Sequence, residues 1–189
     1  MTPTLLTSPD ASTADAGRPH TILVGLPGAG KSTAGQALAE RLGRPFLDFD
    51  REIERREGST VAELFARLGE PLFREREREL TRELAGYGDM VLSPGGGWIA
   101  NPGAVGLLRP PSRLIYLKVR PTVALARLAR DPVIRPLLRG PDPALAIGQL
   151  YRERAPLYET ADHVIDTELF DTKGLVDNLA ALASGYRGR

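Results

Sequence analysis

The most constraining feature of this sequence is the run Gly25-Leu26-Pro27-Gly28-Ala29-Gly30-Lys31-Ser32. It matches the pattern G-x-x-x-x-G-K-[ST], whose backbone amides point inward and cradle phosphate oxygens. The apolar stretch His20 to Gly25 precedes it and reads as a buried strand. Ser32 to Leu42 follows it, with Ala34, Leu38 and Leu42 at helical spacing and Gly43 as the cap. A phosphate-binding loop needs this strand-to-helix setting, because the positive end of the helix dipole completes the anion site. By composition alone, such a match somewhere in the chain has odds of roughly one in a few hundred. Only three lysines occur, Lys31, Lys118 and Lys173, so one of them falling in the motif adds weight.

Downstream, short apolar runs alternate with helical patterns. Pro45–Asp50, Met90–Ser93, Leu114–Val119 and His163–Asp166 read as further strands. Between them, helices are expected over 52–57, 60–68, 71–85, 122–130, 144–154 and 174–183. Thr60 with Glu63 forms a capping-box pattern, and Leu72, Leu80 and Leu84 are expected to face inward. Asn101-Pro102 suggests another helix cap, and Asp131–Pro143, with four prolines, reads as a loop. This alternation predicts an α/β fold, a doubly wound parallel sheet of five strands flanked by helices. The length of 189 residues fits one domain over 20–189, preceded by a Thr-, Ser-, Pro- and Ala-rich leader, Met1–Pro19, expected to be disordered.

Charge and composition narrow the chemistry. The net charge of +1 gives no overall field for nucleic acid or an anionic membrane. No apolar run approaches the roughly 18 residues that span a bilayer. The chain has no cysteine, which removes disulfides, thiolate metal sites and thiol nucleophiles and suits a reducing cytoplasm.

Four further clusters stand out. Asp48-Phe49-Asp50 closes the second strand, where i and i+2 carboxylates point the same way while the strand persists. One could approach a metal and the other accept a proton, or both could simply cap the next helix. Arg74 and Glu77 are neighbours on one helix face, although the alternating run Arg74 to Glu79 reads by itself as a solvated surface. Gly95-Gly96-Gly97 follows the third strand and permits close approach of a ligand to the backbone. Arg127, Arg130, Arg135 and Arg139, around Pro132 and Pro136, suggest an arginine-bearing lid, to which Arg154 could belong. The alternative is a basic surface loop.

In this order, together with Phe73-Arg74, Arg135-Pro136-Leu137-Leu138 and Arg154-x-Pro-Leu-Tyr158, these motifs resemble the shikimate kinases of the nucleoside-monophosphate-kinase-like P-loop group. The resemblance covers about residues 20 to 185. It implies a substrate-binding helical region, a mobile lid, ATP as co-substrate, Mg²⁺, and phosphorylation of the shikimate 3-hydroxyl. Gly28, Ala29, Gly30, Lys31, Ser32 and Thr33 would bind ATP, with Arg127 stacking on adenine and Arg135 reaching the transferring phosphoryl group. Ser32 and Asp48 would serve the metal. Asp50 would be the base, Arg74 and Arg154 would grip the carboxylate, Glu77 would orient Arg74, and Gly95 to Gly97 would line the pocket. Lys31, Asp50 and Arg135 form the implied catalytic set. The loop before Arg135 is one residue longer than the pattern has, and Phe49 and Trp98 stand where smaller residues are usual. Those two residues keep open another hydroxylated acid, such as gluconate. A non-catalytic sensor of a small acid is a third reading, and the intact lysine, aspartates and arginines weigh against it. The expected protein is a cytoplasmic monomer whose partners are ATP and shikimate.

Overall fold

The computed structural model describes residues 18–131, 135–138 and 140–184. Most of the leader, 1–17, therefore lies outside the described residues, as do Pro132 and Arg139 of the expected lid. The last leader residues are described, with the Arg18 carbonyl accepting from the Asp89 amide at 2.8 Å.

The strands are β1 (Thr21–Val24), β2 (Phe46–Asp48), β3 (Val91–Ser93), β4 (Arg113–Lys118) and β5 (His163–Asp166). All pairings are parallel, in the order β2-β3-β1-β4-β5, with Ile22 in register with both Leu92 and Leu114. β1 is buried at every position because helices cover both faces of a parallel sheet, which is why it reads as an uninterrupted apolar run. The helices are α1 (Lys31–Leu42), α2 (Phe49–Glu57), α3 (Val61–Leu84), α4 (Ala104–Leu108), α5 (Pro121–Leu128), α6 (Pro143–Tyr158) and α7 (Thr172–Ser184). One face of the sheet carries α1 with α7 packed beside it. Short 3-10 turns cover Trp98–Ala100 and Pro136–Leu138. No helix among the described residues is long and apolar enough to cross a membrane.

Several expected boundaries move, each for a local reason. β2 stops at Asp48 rather than Asp50, because the Asp48 carboxylate accepts from the Arg51 amide at 3.3 Å and caps α2. Asp50 therefore sits in the first turn of a helix, and the period-two argument for the paired aspartates does not apply. The capping box of Thr60 and Glu63 forms as expected. Beyond it, the two expected helices join into α3 across a kink at Gly69, where φ is 76° and ψ is 168°. The kink resets the helical phase, so Leu72 is 36% exposed while Phe73 turns inward. Asn101 caps no α-helix: α4 begins at Ala104 behind Gly103. Finally, α6 runs through Pro156 to Tyr158. Proline there removes a single hydrogen bond of the last turn. Burial of Ile147, Leu150, Arg154 and Tyr158 along one face holds that turn in place.

Candidate active site

In an open α/β sheet, ligands gather outside the carboxyl ends of the strands where the connections diverge. Here β1 feeds the phosphate loop, β2 ends in Asp48, and β3 runs into Pro94 and the three glycines. These segments enclose a cavity of about 660 Å³.

Gly30, with φ 90°, turns the loop into α1. Lys31 is 9% exposed, and its Nζ donates to the carbonyls of Gly25 at 3.0 Å and Leu26 at 3.1 Å. Burial pulls its pKa down to about 8, against the opposing charges of Asp50 and Asp48. An anionic phosphate is the partner that would restore its full charge. The Ser32 hydroxyl donates to Asp48 Oδ2 at 2.5 Å. A hydroxyl and a carboxylate oxygen side by side suit a hard cation, and no group of three or more His, Cys, Asp or Glu that could cage a metal occurs among the described residues. That combination fits Mg²⁺, which takes one or two protein oxygens and completes its shell with water and phosphate.

Asp50 faces the same cavity from α2. Burial first, and then the neighbouring Asp48 charge, raise its pKa. Arg135 Nη1 lies 3.5 Å from its Oδ2, while Nη2 of the same arginine lies 3.3 Å from Asp131. The expected lid arginine thus stands directly over the expected base.

The Arg74–Glu77 pair is not a solvated surface. Glu77 is fully buried, and its Oε2 accepts from Arg74 Nη1 at 2.7 Å. Arg74 also donates to Glu70, at 3.1 and 2.8 Å. Burial raises the Glu77 pKa to about 7, against the pull of Arg74. Its Oε1 finds no hydrogen-bond partner among the described residues. Asn101 closes this cluster: its amide donates to the Arg74 carbonyl at 2.8 Å and to Glu77 Oε2 at 3.4 Å, and its oxygen accepts from Arg78 at 2.9 Å. Gly97 is required by close approach, since a Cβ there would fall within the Arg74 guanidinium. Arg154, 7% exposed, enters the cavity from α6.

Of the residues singled out from the sequence, Gly28, Gly30, Lys31, Ser32, Thr33, Asp48, Asp50, Arg74, Gly95, Gly96, Gly97, Arg127, Arg135 and Arg154 all line this one cavity. Ala29 does not: it is buried, and its amide donates to the Leu26 carbonyl at 3.1 Å inside the loop. Arg127 donates to Thr167 Oγ1 at 3.1 Å beside Gly28. Phe49 and Trp98 are both fully buried, packed edge to face at 6.3 Å, and neither lines the cavity. The Trp98 indole donates to Thr81 Oγ1 at 3.0 Å. Other side chains line the cavity too. Phe65, Phe73, Leu137 and Leu138 supply apolar walls, which periodicity assigns equally well to core. Asn101 was masked by its resemblance to a helix cap.

Comparison with known proteins gives a consistent picture. The family model described as "Shikimate kinase" matches residues 27–182. A shikimate kinase of Pelotomaculum thermopropionicum is 41% identical over 158 residues, covering 84% of this chain and 91% of that one. One of Burkholderia thailandensis is 43% identical over 162 residues, covering 84% and 88%. Among solved structures, the shikimate kinase of Acinetobacter baumannii in complex with shikimate superposes with a TM-score of 0.84 at 36% identity, over 92% of this chain and 97% of that one. A gluconokinase of Sinorhizobium meliloti, at 17% identity and a TM-score of 0.57, shares the fold alone.

Proposed function

This chain belongs to the shikimate kinase family, and we propose that it transfers the terminal phosphoryl group of ATP to the 3-hydroxyl of shikimate, giving shikimate 3-phosphate and ADP. The observation that carries this reading is the set of side chains that one cavity brings together: Lys31 and Ser32 of the phosphate loop, Asp50, and the two arginines Arg74 and Arg154. Guanidinium forks suit a carboxylate, and an aspartate is the acceptor that a ring hydroxyl needs.

Each residue's part follows from its chemistry. Loop amides and Lys31 hold the nucleotide phosphates. Mg²⁺, held through Ser32 and Asp48, would offset charge on the phosphate oxygens. Arg74 and Arg154 fix the carboxylate and so present the hydroxyl at Asp50. Asp50 takes the hydroxyl proton as that oxygen attacks phosphorus. Its raised pKa brings it closer to the working pH, which strengthens it as a base. Arg135 shifts from Asp50 toward the transferring group and compensates its charge. Phosphoryl transfer rests on such positioning and charge compensation rather than on covalent chemistry. Arg127, beside Gly28, is placed to flank the base of the nucleotide.

Phe49 and Trp98 motivated a different acceptor, and their burial away from the cavity removes that motive. Dependence on ATP suits the cytoplasm. The test is ADP release by the purified protein with Mg·ATP and a panel of shikimate, quinate and gluconate. Turnover with shikimate well above the others is expected. ADP release indifferent to shikimate would refute the reading.

A further inference from the structure

Arg154 and Arg74 approach the acceptor from elements far apart in the chain, so something must set the distance between them. Tyr158, one turn after Arg154 on α6, is fully buried. Its hydroxyl donates to the carbonyl of Gly96 at 2.6 Å. Its ring stacks on Tyr116 of β4, with centroids 5.0 Å apart and planes inclined by 21°. The ring is therefore fixed by the sheet, and the hydroxyl is aimed at the middle peptide of the glycine loop.

That peptide is well placed to transmit position. On one side Gly95 lies against Asp50 and Glu77, where a Cβ would come 2.9 Å from Asp50 Oδ1 and 3.1 Å from Glu77 Oε1. On the other side Gly97 lies against the Arg74 guanidinium. Gly96 itself packs on Pro27 of the phosphate loop.

We propose that Tyr158 is a positioning residue for the acceptor: its hydroxyl ties the Gly95–Gly97 loop to the helix carrying Arg154, so that the two carboxylate-binding arginines keep a fixed separation. The proposal rests on the shikimate reading above for the identity of the acceptor, but not for the linkage itself. Burial pushes the phenol up to about 12, against the nearby Arg154 charge. The hydroxyl therefore remains a donor at every working pH, as a carbonyl partner requires. A buried tyrosine that merely satisfies its hydroxyl would serve stability. A positioning residue affects one substrate selectively.

The test is Tyr158→Phe, which keeps the stack and removes the hydroxyl, with its bond to Gly96 and its hydrogen bond with Arg154. Its KM for shikimate should rise about five- to tenfold, the size of one hydrogen bond, with kcat and KM for ATP within about twofold of the parent. Hydrogen exchange on the ligand-free chain gives a reading independent of substrate. The Trp98 amide, which donates to the Gly95 carbonyl at 3.0 Å, should exchange faster in the variant while β1 and β4 amides do not. Tyr158→Leu, which also removes the stack, is the control for a structural role and should lower Tm and kcat and raise the KM for both substrates together. If Tyr158→Phe behaves like Tyr158→Leu, or like the parent in both KM and exchange, the proposal is overturned. A parent that ignores shikimate, with the exchange effect present in Tyr158→Phe, would refute the assigned function and leave the linkage standing.

Discussion

Glu77 allows the buried electrostatics of the site to be tested without substrate. Its pKa rises from an ordinary 4.5 to about 7 on folding, through burial. Between those values the folded state holds a proton that the unfolded chain has released. Its contribution to stability is thus complete below pH 4.5 and is lost as pH rises through about 7. Glu77→Gln cannot titrate, so the parent's stability relative to this variant should fall between pH 5 and pH 7 in urea unfolding. A pH-independent difference would mean that Glu77 stays ionised. At Lys31 the expectation concerns binding: with a pKa near 8, the side chain is mostly neutral at pH 9. Mg·ATP should therefore bind there with proton uptake, measurable by calorimetry in two buffers of different ionisation enthalpy. Asp50→Asn should cut turnover about 10²- to 10⁴-fold, the usual worth of a positioned base, while nucleotide affinity changes little. At this scale the sequence was legible where chemistry is local. Lys31 and Ser32 follow from their motif. The burial of Glu77 did not, because a run of alternating charges reads as surface until the packing of α3 buries one member of it.

The joint between β2 and α2 and the kink in α3 decide which side chains of these helices reach the cavity. Asp48 is at once the last strand residue, the cap of α2 and the partner of Ser32. Capping α2 thus leaves the second carboxylate oxygen of Asp48 on Ser32. In α3, Gly69 adopts a conformation open almost only to glycine, and the helix beyond it carries Phe73, Arg74 and Glu77. Gly69→Ala should cost about 1–3 kcal/mol in denaturant unfolding. It should also raise the KM for shikimate, since the phase of the second half sets the aim of Arg74. Normal shikimate binding in a destabilised variant would separate the kink from the site. The glycine was visible in the sequence as a helix end. That the helix resumes in a new phase, leaving Leu72 outside and Phe73 inside, depends on what the second half packs against.

Across the whole molecule, the two ligands should report separately. Ligands that bind only the folded state stabilise it, by about 2.7 kcal/mol at a hundredfold excess over Kd. Mg·ATP and shikimate should each raise Tm of the parent. In Arg74→Ala the shikimate shift should vanish while the nucleotide shift persists, and loss of both would mean that the arginine supports the fold rather than the acceptor.

The order of strands and helices, the phosphate loop and the set of charged residues offered to the cavity were written in the sequence, because each depends on neighbours a few positions away. Tertiary structure alone decided which of those residues meet. It placed Asp50 on a helix under Arg135, buried Glu77 beside Arg74, withdrew Phe49 and Trp98 into the core, and brought Tyr158 onto Gly96 from across the chain. Those outcomes turn on desolvation and close packing between distant segments, and local pattern carries no information about either.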